Sequence, residues 1–166
     1  MDIGDRPDPA PVGSELELLT QFLDFHRATA LWKCDGVSDA DLMRTTVPSG
    51  TTMLGLVKHL AWVERYWFRE VFRDEQAIPF PYSEADPDAE LRIEPGETGT
   101  AIFALYREAC RESDEAIAGA SCDEAAAGGG KPVLLRWILI HMIEETARHN
   151  GHLDILREQI DGATGE

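Results

Sequence analysis

Positive charge is scarce in this chain. Its 166 residues carry 15 Lys and Arg against 31 Asp and Glu, a formal net charge of −16. Binding along a phosphate backbone needs the cations that are missing, so nucleic acid is excluded as a partner. An anionic membrane surface is excluded for the same reason. Cysteine is also sparse: Cys34, Cys110 and Cys122 are three, odd in number and far apart. No CxxC pair and no disulfide framework follows from them, which fits a reducing cytoplasm. No apolar run approaches the roughly 18 residues that would span a bilayer. No stretch alternates at period two for long enough to make a strand. The opening segment, MDIGDRPDPAPVGS, is acidic and proline-rich and lacks the pattern of a signal peptide. Residues 1–13 are expected to form a flexible or surface-hugging arm.

What is present is helical periodicity, in four segments. In SELELLTQFLDFHRATALWKC, residues 14–34, Ser14 and Glu17 have the spacing of a capping box. Leu16, Leu19, Phe22, Leu23 and Ala30 recur on one stripe, with Phe25 or His26 beside them. After the breakers Pro48, Ser49 and Gly50, a second helix is expected over 52–72. Its stripe runs through Met53, Leu56, Leu60 and Val63, and His59 falls inside it. Residues 73–97 hold four prolines and many acids and read as a long loop, functional or covering. A third helix is expected over about 98–120, with Ile102, Leu105, Ala109 and Ile117 on its apolar side. SCDEAAAGGGK reads as a flexible linker, and a fourth helix is expected from Pro132 to Asp161-Gly162. Four helices of about 20 residues predict an all-α, four-helix bundle spanning residues 14–166 as one domain.

The segment HMIEETARHNGHLD, residues 141–154, concentrates three histidines and three acids. At about 100° per residue, with His141 at zero, Glu145 lies near 40°, His149 near 80° and His152 near 20°. These four side chains share a face. Glu145 and His149 are one turn apart and can converge on one ion. A third ligand must come from another helix, and His59 is the candidate. Two imidazoles and a carboxylate suit Zn²⁺, Ni²⁺ or Fe²⁺, and three protein ligands leave an open position, as catalytic sites do. A fourth side chain, His152 or His141, would close the site instead. The residues also permit a plainer interpretation. A histidine on an apolar stripe is more often a satisfied core residue, and Glu-x-x-x-His pairs are common on solvated faces. Trp62, Tyr66, Trp67 and Phe68 follow His59, and Trp137 precedes Glu145; core packing accounts for most of them, a pocket wall for one or two such as Trp62 and Tyr66. His26 reads as structural, and the cysteines offer no nucleophile.

Three stretches carry a resemblance to a known family. VPSGTTMLGLVKHLAWVERYWF resembles the second-helix region of the DinB-like family, in its mycothiol-dependent branch. LRWILIHMIEETARHNGHLDILREQIDGATG resembles the last helix of that branch, and FHRATALWKCDGVSDADL also matches. The likeness spans most of the chain apart from the N-terminal arm and residues 73–97. It implies a four-helix bundle of the DinB-like type that binds a divalent metal, commonly zinc. The family's first metal histidine falls on His59. Many relatives have HxxxH in the last helix; here those positions are Glu145 and His149, a replacement shared with the maleylpyruvate isomerase-like relatives. His152 and His141 then become candidates to orient a ligand or contact substrate. The implied activity is transfer of a low-molecular-weight thiol, mycothiol, to a small electrophile, or isomerisation through a thiol adduct. A homodimer is a further expectation from the relatives. A metal-dependent hydrolase and a non-enzymatic, metal-bearing stress protein are the competing functions.

Overall fold

The computed structural model describes residues 6–130 and 132–165. Four long helices dominate: α1 (Glu15–Cys34), α3 (Met53–Glu64), α4 (Gly99–Ile117) and α5 (Leu135–Asp161), with a short α2 (Asp39–Leu42) after the first. Among the described residues no strand forms; two isolated bridges, Ser83–Asp86 and Ala125–Leu134, are the nearest approach to one. α1 packs mainly on α5, and α3 mainly on α4.

Local chemistry sets the helix starts. The Ser14 hydroxyl accepts from the Glu17 amide while the Glu17 carboxylate accepts from the Ser14 amide, the reciprocal box the spacing predicts. Thr52 caps α3 through the Gly55 amide at 3.0 Å, and Thr98 caps α4 through Ala101 at 3.2 Å. Each cap satisfies an otherwise orphaned N–H of a first turn. From Arg65 to Phe72 the helix that begins as α3 continues in a wider, π-helical winding. That stretch turns Phe68, Val71 and Phe72 into the core and leaves Tyr66 and Trp67 half-buried.

Two apolar clusters fill the bundle. One joins Ala30, Leu54, Leu60, Phe103, Tyr106, Leu153 and their neighbours. The other joins Leu23, Phe68, Phe72, Leu135, Ile138 and Met142. Truncating one such leucine to alanine costs about 2–5 kcal/mol. A buried ion pair sits among them. The Arg27 guanidinium donates two bonds of 2.7 Å to Glu64, with side chains only 7% and 1% exposed, and a third to Asp114.

Several sequence expectations need correction. Phe22 is 47% exposed, although Leu23 and Ala30 of the same stripe are buried. α4 ends at Ile117, where Gly119 takes φ +73°, and α5 begins at Leu135, three residues beyond Pro132. The delay arises because the described residues 121–130 and 132–134 fold back toward each other: Ala126 N–H donates to the Val133 carbonyl and Leu135 N–H to that of Glu124. The glycine-rich linker is therefore not a flexible tether. Ala127 and Gly128 donate to the Phe72 and Val71 carbonyls at 3.0 and 2.9 Å, capping the end of the π-helical stretch. A Cβ on Gly128 would collide with the Glu70 carbonyl oxygen, so glycine serves close approach here rather than mobility.

Of the N-terminal arm, residues 1–5 lie outside the described residues. The rest runs along α1: Ala10 N–H donates to Gln21, and the Arg6 guanidinium sits over the Phe25 and Trp32 rings. Residues 73–97 form the long loop expected, with one tight turn of helix at Ala89–Leu91 packed on α3. That contact depends on Gly55, where a Cβ would strike the Leu91 carbonyl oxygen. Glycine at 55 thus lets the loop press onto α3, one turn from His59.

Candidate metal centre

His59 projects from the middle of α3, and Glu145 and His149 from successive turns of α5. One donor atom from each of the three lies within 4.8 Å of the others. His59 Nε2 is 3.3 Å from Glu145 Oε1, and His149 Nε2 is 3.1 Å from the same oxygen. Ligand atoms about 2.0–2.1 Å from a tetrahedral zinc stand about 3.3 Å apart, so these separations are those of one coordination edge. The side chains are 16%, 19% and 13% exposed, enough to remain in reach of a ligand.

The far nitrogens of both imidazoles are also held. His59 Nδ1 lies 2.7 Å from Glu90 Oε1. A carboxylate only accepts, so Nδ1 carries the hydrogen and Nε2 faces the centre. Carboxylate, histidine and metal position in line is the usual way a ligating imidazole is oriented. His149 Nδ1 lies 3.3 Å from His152 Nδ1, where one ring donates and the other accepts. Glu90 comes from the short turn in the loop, placed by the Gly55 contact.

Electrostatics in the metal-free protein follow from this crowding. Burial alone would lower the His59 pKa, but the hydrogen bonds that its ring donates to Glu145 and Glu90 overcome it and raise the group to about 9. Glu145 is held far below the usual carboxylate range by the hydrogen bonds it accepts from His149 and then His59, against the opposing effect of burial. Metal-free, the cluster holds itself together with a proton on His59. A divalent cation would do the same work with neutral imidazoles, and the donor set of two nitrogens and one carboxylate oxygen fits such a cation.

The other sequence candidates separate clearly. His152 stands beside His149 and lines a cavity of about 390 Å³ together with His59 and His149. The remaining walls of this cavity are chiefly Val47, Leu56, Leu91, Ile155 and Leu156. Trp62 and Tyr66 line a second cavity of about 380 Å³ with Val63, Tyr82, Pro87 and Glu90. His141 is not gathered into the metal cluster. It stacks on Trp137, with ring centroids 5.1 Å apart and planes 13° apart, and meets Trp67 edge-on at 4.8 Å. His26 accepts at its carbonyl from Asn150 and is half-buried, a structural role. Cys34 is buried, and burial pushes its thiol up to about 12, so it is no nucleophile.

Sequence reasoning missed Glu90 and the loop residues Phe80 and Tyr82. Phe80 touches the rings of Trp62, Tyr66 and Tyr82 and ties the loop to α3. The only signal for them was the length of the loop, which marked it as functional or covering.

No curated protein matches the chain. Among solved structures, a conserved protein from Enterococcus faecalis superposes with a TM-score of 0.66 over 92% of this chain and 100% of its own, at 12% identity, which shows the fold. No helix among the described residues is long and apolar enough to cross a membrane. A family profile described as Mycothiol-S-transferase matches residues 18–162, which takes in α1 from its fourth residue, the other three long helices and the whole His59, Glu145, His149 cluster. On that match the chain belongs to the Mycothiol-S-transferase family, a DinB-like family of all-α fold.

Proposed function

We propose that this protein is a metal-dependent thiol S-transferase of the cytoplasm, joining mycothiol to a small electrophile at a divalent metal, zinc in the first instance, held by His59, Glu145 and His149. Residues 14–166 act as the single catalytic domain. The observation that carries the proposal is the convergence of three donor atoms with the far nitrogen of each histidine already engaged. Side chains placed only for packing have no need of both arrangements at once. The family match supports the thiol and the transfer chemistry.

A divalent cation at this position supplies a Lewis acid that lowers the pKa of a coordinating thiol and favours its thiolate near neutral pH. The chain's own residues do the rest. Glu90 fixes the His59 ring so that Nε2 presents its lone pair to the centre. His152 restrains the His149 ring in the same manner. Glu145 contributes one negative charge, which moderates the acidity of the centre. The apolar walls of the adjoining cavity exclude water from the sulfur and favour attack by thiolate over attack by hydroxide. No cysteine of the protein is required, in keeping with the burial of Cys34 and Cys122.

The test is turnover of an electrophile by zinc-loaded protein with and without mycothiol. Product should form only when thiol and metal are both present. Consumption of substrate by water at the same rate without thiol would refute the transferase reading and favour a hydrolase. No turnover of any kind, with a bound metal, would favour the non-enzymatic alternative.

A further inference from the structure

Two cavities lie along α3 and its π-helical continuation, one aliphatic and opening on the proposed centre, the other aromatic with one carboxylate. Leu56 lines the first, His59 stands between, and Trp62, Val63 and Tyr66 line the second. The loop repeats the division: the neighbours Leu91 and Glu90 face the first and second cavity respectively. We infer that the two cavities divide the reactants, the Leu56–Ile155 cavity selecting an uncharged, apolar electrophile and the Trp62–Tyr82 cavity taking the polyhydroxylated carrier of the thiol. This assignment rests on the thiol-transferase reading above.

The first cavity has a volume of about 390 Å³, small for a ligand site, where roughly 300–1,000 Å³ is usual. Its walls are aliphatic, its polar groups are Ser49, Thr51 and three histidines, and no Lys, Arg, Asp or Glu lines it. An anion entering it would shed water without gaining a lysine or arginine partner, at a cost of several kcal/mol. With a divalent cation and a thiolate bound, the Glu145 carboxylate would bring the net charge of the centre to zero and leave it little attraction for an anion. The overall charge of −16 acts in the same direction.

The second cavity is built for hydroxyls on a flat, hydrocarbon-faced ring. Mycothiol carries its cysteine on a glucosamine–inositol pseudo-disaccharide, whose C–H faces pack on aromatic rings and whose hydroxyls need acceptors and donors. Tyr66 and Tyr82 supply rings, and Phe80 buttresses Tyr66, Tyr82 and Trp62. Arg65 occupies one face of Trp62, so the tyrosines are the principal platform. Glu90 supplies the acceptor. Tyr82 is held in its protonated, donating form, because burial and the nearby Glu90 and Glu70 push its pKa up to about 12. Trp62 Nε1–H is a buried donor with no protein partner. Glu90, which lines this cavity, bonds the far side of the His59 ring, so the cavity lies about one imidazole ring from the centre that a thiol arm must reach.

With 1-chloro-2,4-dinitrobenzene as electrophile, the S–C bond forms, the C–Cl bond breaks, chloride leaves with the electron pair and the thiol proton passes to solvent. The experiment compares KM for each reactant in zinc-loaded wild type, Ile155→Asp and Tyr82→Ala, with circular dichroism to confirm folding. Ile155 is 54% exposed, so its replacement does not disturb the core. Ile155→Asp should raise KM for the aryl chloride at least fivefold and leave KM for mycothiol within twofold. Tyr82→Ala should do the reverse. The negatively charged 4-chloro-3-nitrobenzoate should react at least tenfold less efficiently than the neutral reagent, beyond the ratio of their uncatalysed rates with the same thiol. Variants that move the same KM, or the opposite ones, overturn the division. Calorimetric titration with thiol-free N-acetylglucosaminyl-inositol separates this outcome from failure of the transferase reading. Binding lost in Tyr82→Ala and kept in Ile155→Asp supports the assignment even without turnover, and no binding to wild type overturns it.

Discussion

Replacing Glu90 should weaken metal binding although the residue contributes no ligand atom. Its Oε1 lies 2.7 Å from His59 Nδ1, and the two side chains are 13% and 16% exposed, so solvent screens the contact only weakly. Losing such an outer partner of a ligating histidine costs about 10–100-fold in affinity, or about 1.4–2.7 kcal/mol. Glu90→Ala frees the ring to rotate and to present either nitrogen, and should fall near the larger value. Glu90→Gln keeps an oxygen that accepts from Nδ1–H but removes the charge, and should fall near the smaller. Competition with a zinc chelator at pH 7.5 measures both against wild type, with Glu144→Gln as control. Glu144 lies on the same helix as the ligands but is 56% exposed and pairs with Arg148, so its loss should change nothing. An affinity within twofold of wild type for Glu90→Ala would refute the orienting role and, with it, the reason given for the Nε2-facing ring.

Four further outcomes follow from the structure. In metal-free protein the His59 pKa is raised from 6.5 to about 9, so its contribution is fully present below pH 6.5 and is lost as pH rises through 9; at about 1.4 kcal/mol per unit this is about 3 kcal/mol, read from urea unfolding of EDTA-treated wild type and His59→Gln at pH 6 and pH 9.5. Because metal must displace that proton, zinc affinity should also climb with pH up to about 9, and a flat profile would contradict the protonated metal-free cluster. Gly55→Ala should push the Leu91 carbonyl off α3, destabilise the protein by about 1–3 kcal/mol and weaken zinc binding through Glu90, whereas an unchanged melting temperature and affinity would show that the loop contact is slack. Arg27→Met should strand the Glu64 carboxylate, 1% exposed, and cost about 3–5 kcal/mol in chemical unfolding without altering metal stoichiometry.

The helix starts and two of the three candidate ligands were legible because they are local. Ser14 and Glu17 are three apart, and Glu145 and His149 are four apart, so one turn of helix brings each pair together. His59 was legible as a histidine inside an apolar stripe, although only the tertiary fold brings it across 86 positions to Glu145. Glu90 was not legible. It is one of several acids in a loop without period, and its place depends on a backbone contact at Gly55 that no spacing encodes. The Gly128 region misled for a related reason, since composition alone does not distinguish glycine used for freedom from glycine used for close approach. Arg27 also departs from its stripe: its charge is buried there against carboxylates, chiefly that of Glu64, 37 positions away, with Asp24 and Asp114 beside it. The π-helical stretch from Arg65 leaves no trace in the pattern either, because Phe68, Val71 and Phe72 suit a 3.6-residue period equally well.

Elemental analysis of the purified protein tests the central claim most directly, with wild type, His59→Ala and His149→Ala prepared side by side without chelator. One divalent metal per chain in wild type, falling below about a tenth in either variant while the helical circular dichroism spectrum is kept, is the predicted result. Metal-free wild type after reconstitution with zinc, or variants that retain a full equivalent, would contradict it.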